Sequence, residues 1–222
     1  MPRNKLIVMT VSALLISTSG AALAMDKPLV PLQDTHAHPV LINATANQEE
    51  DAKGFISALA DEGLGLLSQN EMTDEKRQKE FRKLLQRNFD MKTIARFALG
   101  RYWKSASAAE QKEYLKLFED MIVKVYSRRF EDYDGQDLVV KDARPSGERD
   151  TIVQSEIVPK NGPAIQVDWR VRNKNGKLSV IDIIVEGVSM SLTQRSDFAS
   201  VIQRGGGQVE VLLAHLRTED QQ

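Results

Sequence analysis

The clearest β-hairpin in the chain is residues 165–185, IQVDWRVRNKNGKLSVIDIIV. Its first half alternates apolar and polar side chains, which predicts a strand with one buried and one wet face. Asn175-Gly176 is the favoured type I′ turn, because both residues accept the positive φ angles that this turn requires. Residues 178–188 follow with isoleucines on both faces, so we expect a strand that is buried on both sides. The pattern predicts an antiparallel sheet.

Helical periodicity dominates the chain before this sheet, from residue 49 to about residue 133. Its strongest helix begins with the capping box Ser107–Glu110. One broad apolar face follows at a spacing of three to four residues. Thr73 and Asp90 are typical N-caps of two shorter helices, and Gly100 is a typical stop.

Two further strands are predicted before the hairpin, at residues 138–144 and 151–159, and two helices after it. We expect the first of those helices to begin at Ser191 and the last to follow the glycines at 205–207. The order of elements predicts an α+β fold, with an N-terminal helical part and helices packed on one face of an antiparallel sheet.

The N-terminal 24 residues resemble a secretory signal. Arg3 and Lys5 form a basic start, Leu6–Ile16 is a short and mostly apolar run, and Ala22-Leu-Ala24 is a typical cleavage site. We expect cleavage after Ala24, then a flexible leader over residues 25–48 and one α+β domain over residues 49–222. A buried N-terminal core helix is the alternative.

Composition excludes several classes of protein. The chain has no cysteine, which excludes disulfides, thiolate catalysis, zinc–cysteine sites and a lipid anchor on cysteine. Lys and Arg number 30 against 31 Asp and Glu, for a net charge of −1, or about −3 without Arg3 and Lys5. This balance argues against a general nucleic-acid binder. No later stretch is apolar enough to span a bilayer.

Residues suited to catalysis or metal binding are few. His36 and His38 form an H-x-H pair in the predicted leader, but two ligands on such a segment are more typical of solvated side chains. Gly187-Val-Ser189 resembles a nucleophile elbow without its final glycine. Asp182, between apolar strand residues, could be a buried carboxylate, and we expect it to pair with Arg170 or Arg195.

Three blocks of sequence resemble the MlaC, or toluene-tolerance, family. They are FDMKTIARFALGRYWK at residues 89–104, AIQVDWRVR at 164–172 with VIDIIVEGVS at 180–189, and QRSDFASVIQ at 194–203. The blocks occur in register and at the family's spacing, so the resemblance runs from about Glu49 to Arg217.

This resemblance implies a periplasmic lipid-binding protein that is not an enzyme. It implies a curved antiparallel sheet of NTF2-like shape, with helices closing a deep apolar pocket. The family shuttles phospholipid between an outer-membrane lipoprotein complex and an inner-membrane ABC transporter. The hopanoid-associated HpnM branch leaves hopanoid as an alternative ligand. A bound lipid, without other cofactor or metal, is the expected ligand.

The expected lipid-binding side chains are the apolar ones on the long helix, the third helix and its exit, and the sheet. They are Phe97, Leu99, Tyr102, Trp103, Phe118, Met121, Ile122, Val125, Ile165, Val167, Trp169 and Val185. From sequence alone these side chains could fill a core or line a cavity. The candidates for contacting a headgroup phosphate are Arg96, Arg101, Arg170 and Arg195, each of which could instead form a salt bridge within the fold.

Two other classes of function stay open at this point. NTF2-like pockets can host chemistry, in which case Asp182 would be the acid or base. A structural adaptor for an ABC transporter would use the apolar residues only as core.

Overall fold

The computed structural model describes residues 39–69, 72–127 and 133–221. The predicted signal, the leader up to residue 38 and the pair His36 and His38 lie outside these ranges. The described helices are α1 Pro39–Leu67, α2 Asp74–Asn88, α3 Met91–Leu99, a 3₁₀ turn Gly100–Trp103, α4 Ala108–Ser127, α5 Met190–Arg204 and α6 Val209–Gln221. The strands are β1 Asp137–Ser146, β2 Asp150–Val158, β3 Ile165–Lys174, β4 Lys177–Val185 and β5 Val188–Ser189.

Side-chain caps begin three of the helices where the sequence predicts them. The Thr73 hydroxyl accepts a hydrogen bond from the Lys76 amide, and the Asp90 carboxylate accepts one from the Thr93 amide at 3.0 Å. At the start of α4 the capping box is reciprocal. The Glu110 amide donates to Ser107 Oγ at 3.3 Å, and the Ser107 amide donates to Glu110 Oε2 at 2.7 Å. These bonds satisfy amides that the first helical turn leaves unpaired.

Two helix starts differ from the prediction. Helix α1 begins at Pro39, so residues 39–48 of the predicted leader are helical. Proline suits a first helical turn because its φ is already near the helical value and its missing N–H is not needed there. Helix α5 begins at Met190, one residue before Ser191, because Ser189 is the cap and its hydroxyl accepts from the Leu192 amide at 3.1 Å.

The five strands form one antiparallel sheet in the order β1-β2-β3-β4-β5. Asn175 and Gly176 have φ angles of 56° and 83°, which confirms the predicted hairpin turn. The predicted α+β fold with a curved antiparallel sheet is likewise confirmed.

One face of the sheet is apolar and packs against α1 and α2. We call this group the sheet cluster, and its buried members are Ala52, Ile56, Leu59, Leu84, Ala143, Val153, Val171 and Val180. Register explains the composition, since Val153 and Val171 face the same side as their cross-strand partners. The other face carries charged side chains such as Asp168 and Arg170.

Helices α3 to α6 form a second core, the helical cluster, whose largest buried side chains are Leu99, Tyr114, Phe118, Ile202, Leu212, Leu213 and Leu216. The Tyr114 ring lies 5.8 Å from that of Phe118 and 6.0 Å from that of Phe198, between ring centroids. The Tyr114 hydroxyl donates to the Ala95 carbonyl at 2.9 Å, and burial raises the pKa of Tyr114. Among the helices described, none is long and apolar enough to cross a membrane.

Candidate functional site

The apolar face of the sheet is covered at one end and open at the other. Ile165 is 39% exposed, whereas Val167, two residues further along β3, is 3% exposed. The apolar side chains paired with this end of β3 are only half-buried: Ile157 lies opposite Ile165, Val185 opposite Val167, and Leu138 opposite Ile157. We call the resulting set the open strip, consisting of Leu138, Ile157, Ile165 and Val185.

The polar groups of Ser155 and Trp169 on the apolar face form hydrogen bonds with each other and with the backbone. Trp169 Nε1 donates to Ser155 Oγ at 2.9 Å, and Ser155 Oγ donates to the Val167 carbonyl at 2.7 Å. Ser155 is buried and Trp169 packs against the sheet cluster. Because these groups are satisfied, the face presents hydrocarbon to whatever lies against it.

The structure divides the predicted lipid-binding residues into two groups. It brings Ile165, Val167, Trp169 and Val185 together on the apolar face of the sheet. The others belong to the helices. Of these, Leu99, Phe118 and Met121 are buried in the helical cluster, Tyr102, Trp103 and Ile122 pack against it, and Phe97 and Val125 are each 42% exposed.

Three of the four predicted headgroup arginines lie on α3, the 3₁₀ turn and α5, and the fourth, Arg170, lies on the sheet. Arg96 lies over the ring of Trp103, Arg101 over Tyr102 and Arg195 over Phe97, with guanidinium-to-centroid distances of 5.1, 5.0 and 5.3 Å. These distances are typical of cation–π contacts. Arg170 lies on the charged face of the sheet, where its buried Nε has no hydrogen-bond partner.

Asp182 has other partners than the arginines predicted for it. It accepts from Ser189 Oγ at 2.6 Å and from the Ser191 amide at 3.0 Å. Both donors are at the start of α5, so the carboxylate anchors that helix to β4 and favours the helix N-terminus electrostatically. Ser189, the residue at the predicted elbow, is thereby used as a cap. Within the described ranges no three His, Cys, Asp or Glu side chains are grouped as metal ligands would be.

A cleft of about 480 Å³ lies at the β3–β4 hairpin, between the two cores. Phe89 in its wall packs against the sheet cluster, and Met91 against the helical cluster. Its charged lining residues are Asp90, Lys92, Glu119, Arg172, Lys174 and Lys177. Sequence reasoning missed this basic cleft because its cations come from α3, β3 and β4. The lysines on either side of the Asn175-Gly176 turn were the available signal.

The carboxylates around this cleft are held by charged and polar partners. Arg172 Nε and Nη2 donate to the two oxygens of Asp150 at 2.7 and 2.8 Å, and this pairing raises the pKa of Arg172. Burial acts to raise the pKa of Asp90, but the Thr93 hydrogen bonds, together with Lys174 and Arg172, outweigh it and hold that pKa below its ordinary value.

A second cavity, of about 610 Å³, lies along α5 and is lined by Asp197, Ser200, Val201, Gln203 and Arg204. The cavity along α5 has a mainly polar wall, and six charged side chains line the hairpin cleft, so neither suits an acyl chain. The open strip is the better candidate for contact with hydrocarbon, because its side chains are apolar and half-exposed on a continuous face.

The sequence profile of the MlaC protein family matches residues 57–218, which is most of the chain. The chain belongs to the MlaC family. The match includes α2 to α5, the whole sheet and most of α6.

Two curated relatives carry names that describe transport or tolerance. The chain is 28% identical over 112 residues to the intermembrane phospholipid transport system binding protein MlaC of Haemophilus influenzae, covering 49% of this chain and 52% of that protein. It is 22% identical over 110 residues to the toluene tolerance protein ttg2D of Pseudomonas putida, covering 50% and 51%. The chain therefore spans about half the length of these MlaC relatives.

A solved structure shares the fold. The phospholipid-binding protein of Ralstonia solanacearum, solved in complex with a phospholipid, superposes with a TM-score of 0.66 at 23% identity. The superposition covers 76% of this chain and 96% of that one.

The MlaC-like blocks meet at the boundary between the two cores. Residues 89–104 form α3 and the 3₁₀ turn, and residues 194–203 form the body of α5. The Phe89 backbone bridges to Val180 in β4, and the Asp90 amide donates to the Val180 carbonyl at 3.0 Å. The family motifs therefore attach the helical cluster to the sheet.

Proposed function

We propose that this protein is a periplasmic phospholipid carrier whose acyl tails lie against the apolar face of its sheet. The observation that carries the proposal is the open strip, an apolar surface that continues from a closed core to a half-exposed end. A chain that only needed a core would gain by covering these side chains, since exposing apolar area costs about 25 cal/mol per Å².

The tails would enter along the open strip and extend toward Val167 and Trp169. Helices α1 and α2 already cover the far end of this face, so admitting a tail requires those helices to move away from the strands. The sheet itself is held by cross-strand hydrogen bonding along β1 to β4 and would act as the fixed wall.

Energetics favour a carrier over a pump. Each buried CH₂ gains about 0.8 kcal/mol relative to water, so a 16-carbon tail gains roughly 13 kcal/mol. The bilayer provides nearly the same gain, so moving a lipid from membrane to protein is close to neutral for its tails. The carrier removes the barrier of crossing water, and partners must set the direction.

Those partners would be an inner-membrane ABC transporter complex and an outer-membrane lipoprotein complex, between which the carrier shuttles. The name of the Haemophilus influenzae relative, an intermembrane transport binding protein, supports this placement. The headgroup would stay near the mouth of the tail site. Its contact with Arg96, Arg101, Arg170 or Arg195 stays a prediction, and three of these guanidinium groups already stack on aromatic rings.

A phospholipid is favoured over a hopanoid because the related structure contains a phospholipid. An enzyme is the less favoured class, since Asp182 is used to anchor α5.

The test is native mass spectrometry of the protein purified from cells, followed by extraction and identification of the bound lipid. We expect a phospholipid at up to one per chain, and uptake of labelled phospholipid from liposomes by delipidated protein. A hopanoid in the extract would change the identity of the proposed ligand but would leave the proposed carrier function standing. Protein that is lipid-free in every preparation and takes up nothing from liposomes would refute the proposal.

A further inference from the structure

The surface formed by α3, the 3₁₀ turn and α5 combines exposed cations with exposed apolar side chains. Arg96, Arg101 and Arg195 are exposed, while Phe97 is 42% and Leu192 is 56% exposed. We call these five residues the arginine surface. The proposed contact of acyl tails with the open strip uses none of them, and the helical cluster is already closed beneath them.

Contacts between the elements place these side chains next to one another. The Arg195 guanidinium lies over the Phe97 ring and would clash with a side chain at Gly100, since an added Cβ there falls 2.8 Å from Arg195 Nε. Arg96 and Phe97 are adjacent on α3 and therefore lie about 100° of arc apart. Leu192 is three residues before Arg195 and therefore on the same side of α5.

Positive charge is concentrated on the arginine surface, although the whole chain is nearly neutral. Residues 91–104 contain the four cations Lys92, Arg96, Arg101 and Lys104 and no Asp or Glu. The nearest carboxylate on α5, Asp197, is two residues past Arg195 and so about 200° around the helix. The aromatic rings hold the guanidinium groups in place, which lowers the entropy lost when they bind an anion.

We propose that the arginine surface docks the protein onto the anionic surface of a phospholipid bilayer. Phosphate groups would meet the stacked arginines, and Phe97 and Leu192 would enter the layer between headgroups and tails. A bilayer requires only positive charge and apolar tips, whereas a protein partner is usually held in register by paired donors and carboxylates. Because residues 91–104 offer cations without any carboxylate, the bilayer fits better.

Two effects supply the affinity. Each Lys or Arg near an anionic membrane surface strengthens binding about fivefold, and this contribution weakens as salt shortens the Debye length. The apolar tips add a contribution that salt does not screen.

Vesicle flotation tests the proposal with protein purified from cells that express the full sequence. The vesicles contain either phosphatidylcholine alone or phosphatidylcholine with 30% phosphatidylglycerol. We expect the wild type to bind the vesicles with phosphatidylglycerol much more strongly than those of phosphatidylcholine alone. This binding should weaken as the salt concentration is raised. The triple variant Arg96→Gln, Arg101→Gln, Arg195→Gln should bind on the order of 100-fold more weakly.

The matched control, Lys112→Gln, Arg144→Gln, Arg149→Gln, removes the same charge from exposed positions elsewhere. Its affinity for the anionic vesicles should fall by only a small factor. The pair Phe97→Ser and Leu192→Ser should weaken binding roughly tenfold. The control variant Lys112→Gln, Arg144→Gln, Arg149→Gln should keep its bound lipid, and lipid content is measured beside vesicle binding in every variant, which separates docking from carrying.

Equal losses in the two triple variants would overturn the proposal, as would wild-type binding that ignores phosphatidylglycerol or salt. A wild type that stays off anionic vesicles also overturns it, and would leave an acidic protein surface as the partner of this face. Because the wild-type salt and composition series needs no substitution, the proposal can fail even if a variant does not fold.

Discussion

The helical cluster and the sheet cluster are built from the same kinds of side chain but close differently. In the helical cluster, rings and leucines from four helices surround one another, and Tyr114, Phe118 and Phe198 are all buried. In the sheet cluster, α1 and α2 cover only part of the apolar face of the sheet, which ends in the open strip. Under the proposed function, the helical cluster provides stability and the sheet cluster provides a surface for the ligand.

The largest expected change in the free energy of unfolding comes from a substitution in the helical cluster. Phe118→Ala removes a buried ring that contacts Tyr114 and Phe198, and should lower the free energy of unfolding by about 3–5 kcal/mol. Urea unfolding measures this loss, and lipid content per folded molecule should be unchanged. If the variant were stable but empty of lipid, the tails would lie in the helical cluster and the comparison would be reversed.

The closed end of the sheet should depend on the Asp150–Arg172 pair. Asp150→Asn leaves the guanidinium without its bidentate partner, and should lower the free energy of unfolding by about 1–3 kcal/mol. The control is Glu156→Gln, which breaks the more exposed pair with Lys141 and should cost less than about 1 kcal/mol. Equal losses in chemical denaturation would mean that burial of the pair has no importance.

The open strip can be tested with two positions of equal exposure on opposite faces. Ile165 and Val158 are both 39% exposed, but Ile165 lies on the apolar face and Val158 on the other. Ile165→Glu places a charge against the tails and should lower lipid occupancy at least about tenfold, because burying an unpaired carboxylate is costly. Val158→Glu should leave occupancy unchanged.

Both variants should change the free energy of unfolding by no more than about 0.5 kcal/mol, since both sites are half-exposed. Lipid extraction with a labelled standard measures occupancy. The same occupancy in both variants would move the tail site away from this face.

The smallest expected effect is on the pH dependence of stability and concerns Asp90, which lies between the two clusters. Because its pKa is lower when folded than the ordinary value of about 3.9, the unfolded chain binds more protons in that range. Its contribution to stability is therefore present above about pH 4 and is lost as the pH falls through the folded pKa. The measurement is the midpoint temperature of thermal unfolding at a series of pH values. Asp90→Asn should weaken the fall of this midpoint at acidic pH, and the exposed control Asp61→Asn should not.

Local chemistry made much of the fold predictable. Thr73, Asp90, Ser107 and the Asn175-Gly176 turn each act through neighbours within three residues, so their roles can be inferred from short stretches of sequence. Strand alternation likewise placed Val167 and Trp169 on one face. The prediction for α5 was less accurate because its cap, Ser189, is selected by Asp182 from another strand.

The site was harder to predict because periodicity gives the face of a side chain but not what covers that face. Met121 and Ile165 both look like candidates for lipid contact in the sequence, yet α5 and α6 close over one and nothing described closes over the other. The partners of Arg195 were hidden for a related reason. Its ring contact, Phe97, is almost a hundred residues away in the chain.

The first strand of the sheet has a further consequence for association between copies of the chain. As an edge strand, β1 offers unpaired backbone groups and the exposed Val139, which together invite another chain to add a strand. A bulge between Val140 and Asp142 breaks the regular ladder, and Pro145 lacks the N–H that pairing needs. The same strand that contributes Leu138 to the open strip thus resists edge-to-edge aggregation.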